Sequence, residues 1–272
     1  MKKTTYKISV LLDLKSSNTA ALKSTASLAK IINAKIELFH VQKSTELVDM
    51  ESQLSAKRAI NDAYRVTENK LKGLAAELAQ TYDIAIEYSF TSGNVKREIK
   101  QYLKDTNPDI VVLGKKKKKI LKPLGDNFTS FMLQKHKGAI LIADFKNSFE
   151  PNNELSLGLF NYEQLPTSIS FLPELMAHIK KPLKSFKMRN NEKAAEGQQT
   201  DTLNTVDFVF DACENVPETL AKYVAINDVN LLCIGRTNKG EKSNTIQANL
   251  KDIINSINVP LLFTGSKELH LP

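Results

Sequence analysis

The stretch FTSGNVKREIKQYLKDTNPDIVVLG, residues 90–114, is followed 121 residues later by DACENVPETLAKYVAINDVNLLCIG, residues 211–235. Asn94 and Val95 fall on Asn215 and Val216, and Tyr102 falls on Tyr223. Ile99 and Leu103, four apart on one helical face, fall on Leu220 and Val224. The apolar run 110–113 falls on 231–234. Similarity at a fixed offset marks a duplicated structural unit.

The register holds outward from this core. Met132 and Leu133 fall on Ile253 and Ile254, and GAILIAD from Gly138 falls on VPLLFTG from Val259. Toward the start of each copy the offset becomes 147, with KIELFHV around Ile36 on PLKSFKM around Leu183. The second copy is therefore shorter between its second and third strands. Ile60, Tyr64, Leu71, Leu74 and Leu78 give the first copy a long amphipathic helix there. The second copy has the polar NNEKAAEGQQTDTLNT, read as a mobile loop replacing that helix.

Strands are expected over 8–13, 35–41, 84–90, 109–114 and 139–143, with helices between. Ser17 or Asn18 can cap the first helix, whose inner face runs Leu22, Ala26, Ala29 and Ile32. The third helix turns Val95, Ile99, Tyr102 and Leu103 inward, and the fourth Phe128, Phe131 and Met132. IVVLG and AILIA are apolar throughout, as in strands buried on both faces. Strands alternating with helices give an open α/β parallel sheet. Two domains follow, 1–146 and 154–272, the second without its second helix, joined by the linker DFKNSFEPNNE.

The composition, 42% hydrophobic and 25% charged, suits a soluble globular chain of one large or two average domains. No apolar run is long enough to span a membrane, and the start lacks a cleavable leader pattern. Two cysteines, Cys213 and Cys233, make neither a disulfide framework nor a metal site, and a reducing cytoplasm suits them. Cys233, within LLCIG, reads as a core thiol. The net charge of +8 includes six lysines within 115–122. Charge alone names no partner.

The strand ending in Asp13, followed by SSNTAAL, and the segment GNVKREIKQYLKDTNPDIVVLGK resemble the universal stress protein family, in tandem two-domain form. The resemblance implies two five-stranded sheets of order 3-2-1-4-5, of the adenine nucleotide alpha hydrolase-like type. It also implies pairing through the fifth strands. Here Ala139 to Ala143 would meet Pro260 to Thr264 within one molecule, and a further homodimer is allowed.

Many family members bind ATP through G-x2-G-x9-G-[S/T] after the fourth strand. Glycines admit the phosphates to the backbone, and amides at a helix start face their charge. This chain keeps the motif in degenerate form. The candidate ATP residues of the first domain, with Mg, are Asp13, Val41, Gly114, Lys117, Gly125, Asn127 and Thr129. Lys117 stands at the second glycine position, and the carboxylate of Asp126 at the hydroxyl position. Asp13 can accept a ribose hydroxyl or cap its own turn. In the second domain Gly235 remains, Gly240 can supply a turn, and Gln247 with Ala248 stands near the glycine-hydroxyl position. Phe160 or Asn161 replaces the aspartate. That half is expected to act as a built-in dimer partner.

Lys115 to Lys119 read either as a solvated loop or as an anion site at the carboxyl edge of the sheet. Nucleic acid is not expected, because no aromatic side chain lies within the run. No nucleophile elbow, Walker lysine or zinc-protease motif is present. Ser27-x-x-Lys30 falls mid-helix by chance, and His40, His136, His178 and His270 lack metal-site spacing. His40 adjoins the expected cleft but reads first as a satisfied edge residue, while His136 aligns with Ile257 and reads as packing. No catalytic residue can be named, so an enzyme is the weaker expectation. The expectation is a cytoplasmic, non-catalytic stress-response binding protein. Its alternatives are an ATP-binding switch with weak ATPase activity, and a polyanion-binding module using the lysine loop.

Overall fold

Apolar strands need cover on both faces, and this chain supplies it with helices around one ten-stranded sheet. The structure is a computed structural model. It describes residues 5–14, 19–43, 53–115, 127–150, 154–160, 162, 169–179, 182–189, 205–211, 215–236 and 244–264. The first half runs β1 (Tyr6–Leu12), α1 (Thr19–Ile32), β2 (Ala34–Lys43), α2 (Gln53–Tyr82), β3 (Ile86–Gly93), α3 (Val95–Thr106), β4 (Ile110–Gly114), α4 (Asn127–Lys135) and β5 (Ala139–Ala143). The second runs β6 (Leu157–Phe160), α5 (Leu172–Met176), β7 (Leu183–Arg189), β8 (Thr205–Asp211), α6 (Val216–Ile226), β9 (Leu231–Gly235), α7 (Asn244–Ser256) and β10 (Leu261–Thr264).

The strand order is β3-β2-β1-β4-β5-β10-β9-β6-β7-β8, so each half has the order 3-2-1-4-5. Pairs within each half are parallel. At the seam β5 and β10 run antiparallel, with Ile140 opposite Phe263, Leu141 opposite Leu262 and Ile142 opposite Leu261. The carboxyl edges of the two halves therefore point to opposite ends of the sheet. Both apolar layers continue across the seam. One holds Ile8, Val10, Leu38 and Leu71 with Leu157, Leu231 and Cys233. The other holds Phe39, Val111 and Ile140 with Phe186, Ile234 and Phe263.

The helix ends have local causes. The Asn94 side chain accepts the Arg97 amide at 3.2 Å to start α3, and Asn107, left-handed at φ 42°, donates its amide to the Leu103 carbonyl to end it. The apolar face expected for α1 is buried together with Thr25, which lies within it, but so are Ser24 and Ser27 on the other side. The connector explains this. The Phe149 amide donates to Ser24 Oγ at 3.0 Å, and Ser27 Oγ donates to the Phe149 carbonyl at 2.6 Å. Phe149 itself is buried, so the segment read as a linker is fastened to α1 as far as Glu150. Ser27 is thereby a structural hydroxyl.

The helices of the two halves are unequal. At 1.5 Å per residue α2 is about 45 Å long, against about 26 Å for the eight residues of β3. Leu71 and Leu78 are buried beneath it, while Ile60 and Tyr64, nearer its start, are exposed. The counterpart of α1 is α5, five residues with Pro173 in its first turn. Residues 190–204, expected as a loop, lie outside the described residues. Among the described residues no helix is long and apolar enough to cross a membrane.

Gly158 occupies the register position that Ser9 holds in the first half, since Ser9 adjoins Val111 and Gly158 adjoins Leu232. Ser9 Oγ lies 2.8 Å from the Tyr102 hydroxyl. A Cβ at Gly158 would meet Leu232 Cδ1 and Phe186 Cε2 at 2.9 Å and Val229 Cγ1 at 3.1 Å. Those three side chains are fully or nearly buried, so they cannot all retreat. Gly158→Val is expected to lower the unfolding free energy by about 1–3 kcal/mol, measured by urea denaturation.

Candidate functional site

An open α/β sheet binds ligands outside the carboxyl ends of its strands, where the strand order reverses. In the first half that point lies between β1 and β4. Leu11 pairs with Leu113, so one further step sets Leu12 beside Gly114 and brings Asp13 to the mouth. Asp13 and Gly114 are both half-buried. Val41, 7% exposed, lies on the neighbouring strand opposite Thr91. The first turn of α4 contains Asn127 and the half-buried Thr129, and this helix runs back to the amino end of β5. Asp13, Val41 and Gly114 thus share one edge. Lys117, Gly125, Asp126 and the Asn127 side chain lie outside the described residues, as do Ser17 and Asn18.

Two residues near this edge have other work. His40 Nδ1 lies 2.9 Å from the Leu12 carbonyl, which fixes the ring to β1. Lys115 is turned into the seam. Its ammonium donates to the Ile257 carbonyl at 2.7 Å and to Asp144 at 3.3 Å, with its side chain 15% exposed. It therefore leaves the lysine run expected to form an anion site, of which Lys116 to Lys119 lie outside the described residues. Burial alone would raise the Asp144 carboxyl, but the Asn147 and Lys146 amides and Lys115 hold it below its ordinary range.

The second half closes the equivalent place. Leu11 adjoins Leu113 as Phe160 adjoins Ile234, so Tyr162, not Phe160 or Asn161, stands in the register of Asp13. Phe160 is fully buried and stacks toward Phe210 at 6.5 Å, and Asn161 lies outside the described residues. The Tyr162 hydroxyl is hydrogen-bonded to Thr264 Oγ1 at the end of β10. Between them runs β9, whose last residue, Gly235, pairs with Thr264. The phenol therefore spans the glycine that phosphates would approach. Burial raises its pKa, so the hydroxyl stays neutral. Gly240 and the side chains of Gln247 and Ala248 lie outside the described residues.

Cys233 is fully buried, and burial pushes its thiol up to about 12, which makes it inert. Cys213 and His270 lie outside the described residues. Among the described residues no group of three or more His, Cys, Asp or Glu could hold a metal ion. His178 is exposed, with Nδ1 3.0 Å from the Glu174 carbonyl.

Residues 5–134 match the Universal stress protein family. The first half of the chain belongs to the universal stress protein family. The fold extends over the whole length. A universal stress protein from Archaeoglobus fulgidus DSM 4304 is 14% identical with a TM-score of 0.67, covering 97% of this chain and 98% of that one. A putative universal stress protein from Pseudomonas aeruginosa UCBPP-PA14 is 10% identical with a TM-score of 0.56, covering 96% and 92%. A universal stress protein family protein from Arabidopsis thaliana, solved with AMP bound, is 17% identical with a TM-score of 0.38, covering 51% and 90%. None of the curated proteins compared matches the chain in sequence. The sequence reading missed Tyr162 as the occupant of the second crevice, because the offset changes between the strands that define it. It also missed the role of Lys115, although its counterpart at the same offset, Arg236, is basic too.

His136 closes α4, with its amide bonded to the Met132 carbonyl. Its Nε2 is buried without a hydrogen-bond partner. Burial, then the nearby Arg236 guanidinium, lower its pKa from 6.5 to about 4. The folded ring is therefore neutral where the unfolded ring gains a proton. Stability is expected to fall as pH drops from about 6.5 to about 4, with one proton taken up on unfolding. His136→Leu should remove that proton uptake, read from urea midpoints across the same range.

Proposed function

We propose that this universal stress protein is a non-catalytic, cytoplasmic binding protein of the stress response with one adenine-nucleotide edge per chain. That edge is in the first half. The carrying observation is the asymmetry between the two switch points, Asp13 beside Gly114 in one and Tyr162 bonded over Gly235 in the other. Asp13 accepts a ribose hydroxyl, Val41 lines the base side, and Gly114 admits the phosphates. The amides opening α4, with Thr129, face the phosphate charge, and Lys117, Gly125 and Asn127 are the remaining candidates for the same nucleotide. Magnesium accompanies the nucleotide. The second unit, 154–272, serves the first, 1–146, as a resident dimer partner through their fifth strands, leaving the far edges for any further homodimer.

The test is ATP titration by calorimetry with phosphate release followed in parallel. One ATP per chain is expected, without turnover. Asp13→Ala should weaken binding about tenfold, the loss of one hydrogen bond to a charged acceptor. No heat at millimolar ATP removes the nucleotide reading, and two sites per chain remove the asymmetry.

A further inference from the structure

Lys115 and Arg236 are the same position in the two copies, each the first residue after the glycine that ends its half's fourth strand. Each reaches across the seam to the same place on the other half. Lys115 Nζ donates to the carbonyl of Ile257, and Arg236 Nη1 donates at 2.7 Å to the carbonyl of His136, the residue aligned with Ile257. The backbones repeat the relation. The Lys115 amide donates to the Ala143 carbonyl at 2.9 Å and the Arg236 amide to the Thr264 carbonyl at 3.3 Å, where Ala143 and Thr264 end the two fifth strands.

The acceptors matter. Ile257 follows the last turn of α7, and His136 follows the last turn of α4. Helix C-termini hold carbonyls with no partner inside the helix and carry partial negative charge. A cation there meets both needs. Arg236 takes more of them than Lys115. Its guanidinium also donates to the carbonyls of Leu133 at 3.2 Å and Gly138, and its Nε to the Thr264 carbonyl at 3.3 Å. Burial lowers its pKa, yet a guanidinium keeps its proton. Asn147 adds a further crossing bond, donating Nδ2 to the Asn258 carbonyl at 2.6 Å.

We infer that Lys115 and Arg236 form a reciprocal clasp, each capping the closing helix of the other half, and that this clasp holds the two halves together as partners. The β5–β10 ladder itself pairs Ile140, Leu141 and Ile142 with their opposites. The clasp adds register-specific contacts on both sides of that ladder. Removing either cation leaves the opposite helix end without its cap.

The test uses the full chain with a protease site inserted between Glu150 and Glu154, cut after folding. Cut wild-type halves should co-elute and show one urea transition. With Lys115→Met and Arg236→Met together, the dissociation constant of the cut halves should rise at least about tenfold, from lost bonds to charged donors. Lys115→Arg, which keeps the cation, should restore association in part. Circular dichroism of the uncut variants shows whether each half is still folded. Should the double variant unfold outright, Arg236→Lys carries the test, because one ammonium cannot reach all the carbonyls. It should weaken association at least threefold while remaining folded. Halves that separate in the wild type, or variants that associate as tightly as the wild type, overturn the clasp. ATP binding plays no part in any of these readings.

Discussion

A five-stranded parallel sheet built in the order 3-2-1-4-5 ends on its fifth strand, and here that strand is AILIA, apolar at every residue and fully buried. An edge of that kind presents unpaired amides and carbonyls beside exposed hydrocarbon. It must be covered by another strand that is buried and mostly apolar, and antiparallel pairing supplies one. LLFT of β10, buried at all four residues, is that strand, and because it is antiparallel it brings the second half in by a two-fold relation. The continuous apolar layers, the opposed carboxyl edges and the contacts beside the seam all follow from that single ladder.

The same constraint explains what the second half has kept. Its contribution to the seam comes from β10, from Arg236 after β9 and from the residues that follow α7, all within the stretch where the offset of 121 residues holds. Away from the seam the resemblance thins. The counterpart of α1 is one turn long, and Phe171 from its cap packs edge-on against Tyr6 at 6.0 Å while Tyr6 donates to the Ser170 carbonyl. A short helix suffices there because α1 of the first half already covers part of the common apolar layer. Ser24 and Ser27 on the other side of α1 are buried instead under the connector at Phe149.

The sequence was most readable where one residue pattern had one physical meaning. IVVLG, AILIA and LLCIG admit only doubly covered strands, and the structure places all three inside the sheet. The faces of α1 and α3 were readable for the same reason. Reading failed where burial depends on neighbours distant in the chain. Ile60 and Tyr64 fit the helical stripe of α2 but are exposed, Tyr64 although its ring lies 4.5 Å from that of Phe90 at the edge strand β3. Phe149 looked like linker and is core, because Ser24 and Ser27 supply the partners its backbone needs. Of the candidate site, Asp13, Val41 and Gly114 were named through the family resemblance, and the strand register sets them at one edge. Tyr162 was not named, since its meaning depends on the register between β6 and β9.

Tyr162 and Asp13 show how one position can serve opposite ends. Both follow a first strand and stand over a fourth-strand glycine. A carboxylate there is short and charged, and Asp13 stays half-buried at the mouth. A phenol is long enough to pass over Gly235 and bond Thr264, and its ring joins the apolar layer that contains Cys233. The bond ties the end of β6 to the end of β10, two strands apart with β9 between them. The second half thus gains a cross-tie over β9 to the strand that borders the seam, in the place where the first half presents a carboxylate. In a domain whose fifth strand must hold against another domain, stiffening β9 and β10 at that point strengthens the same ladder on which the molecule rests.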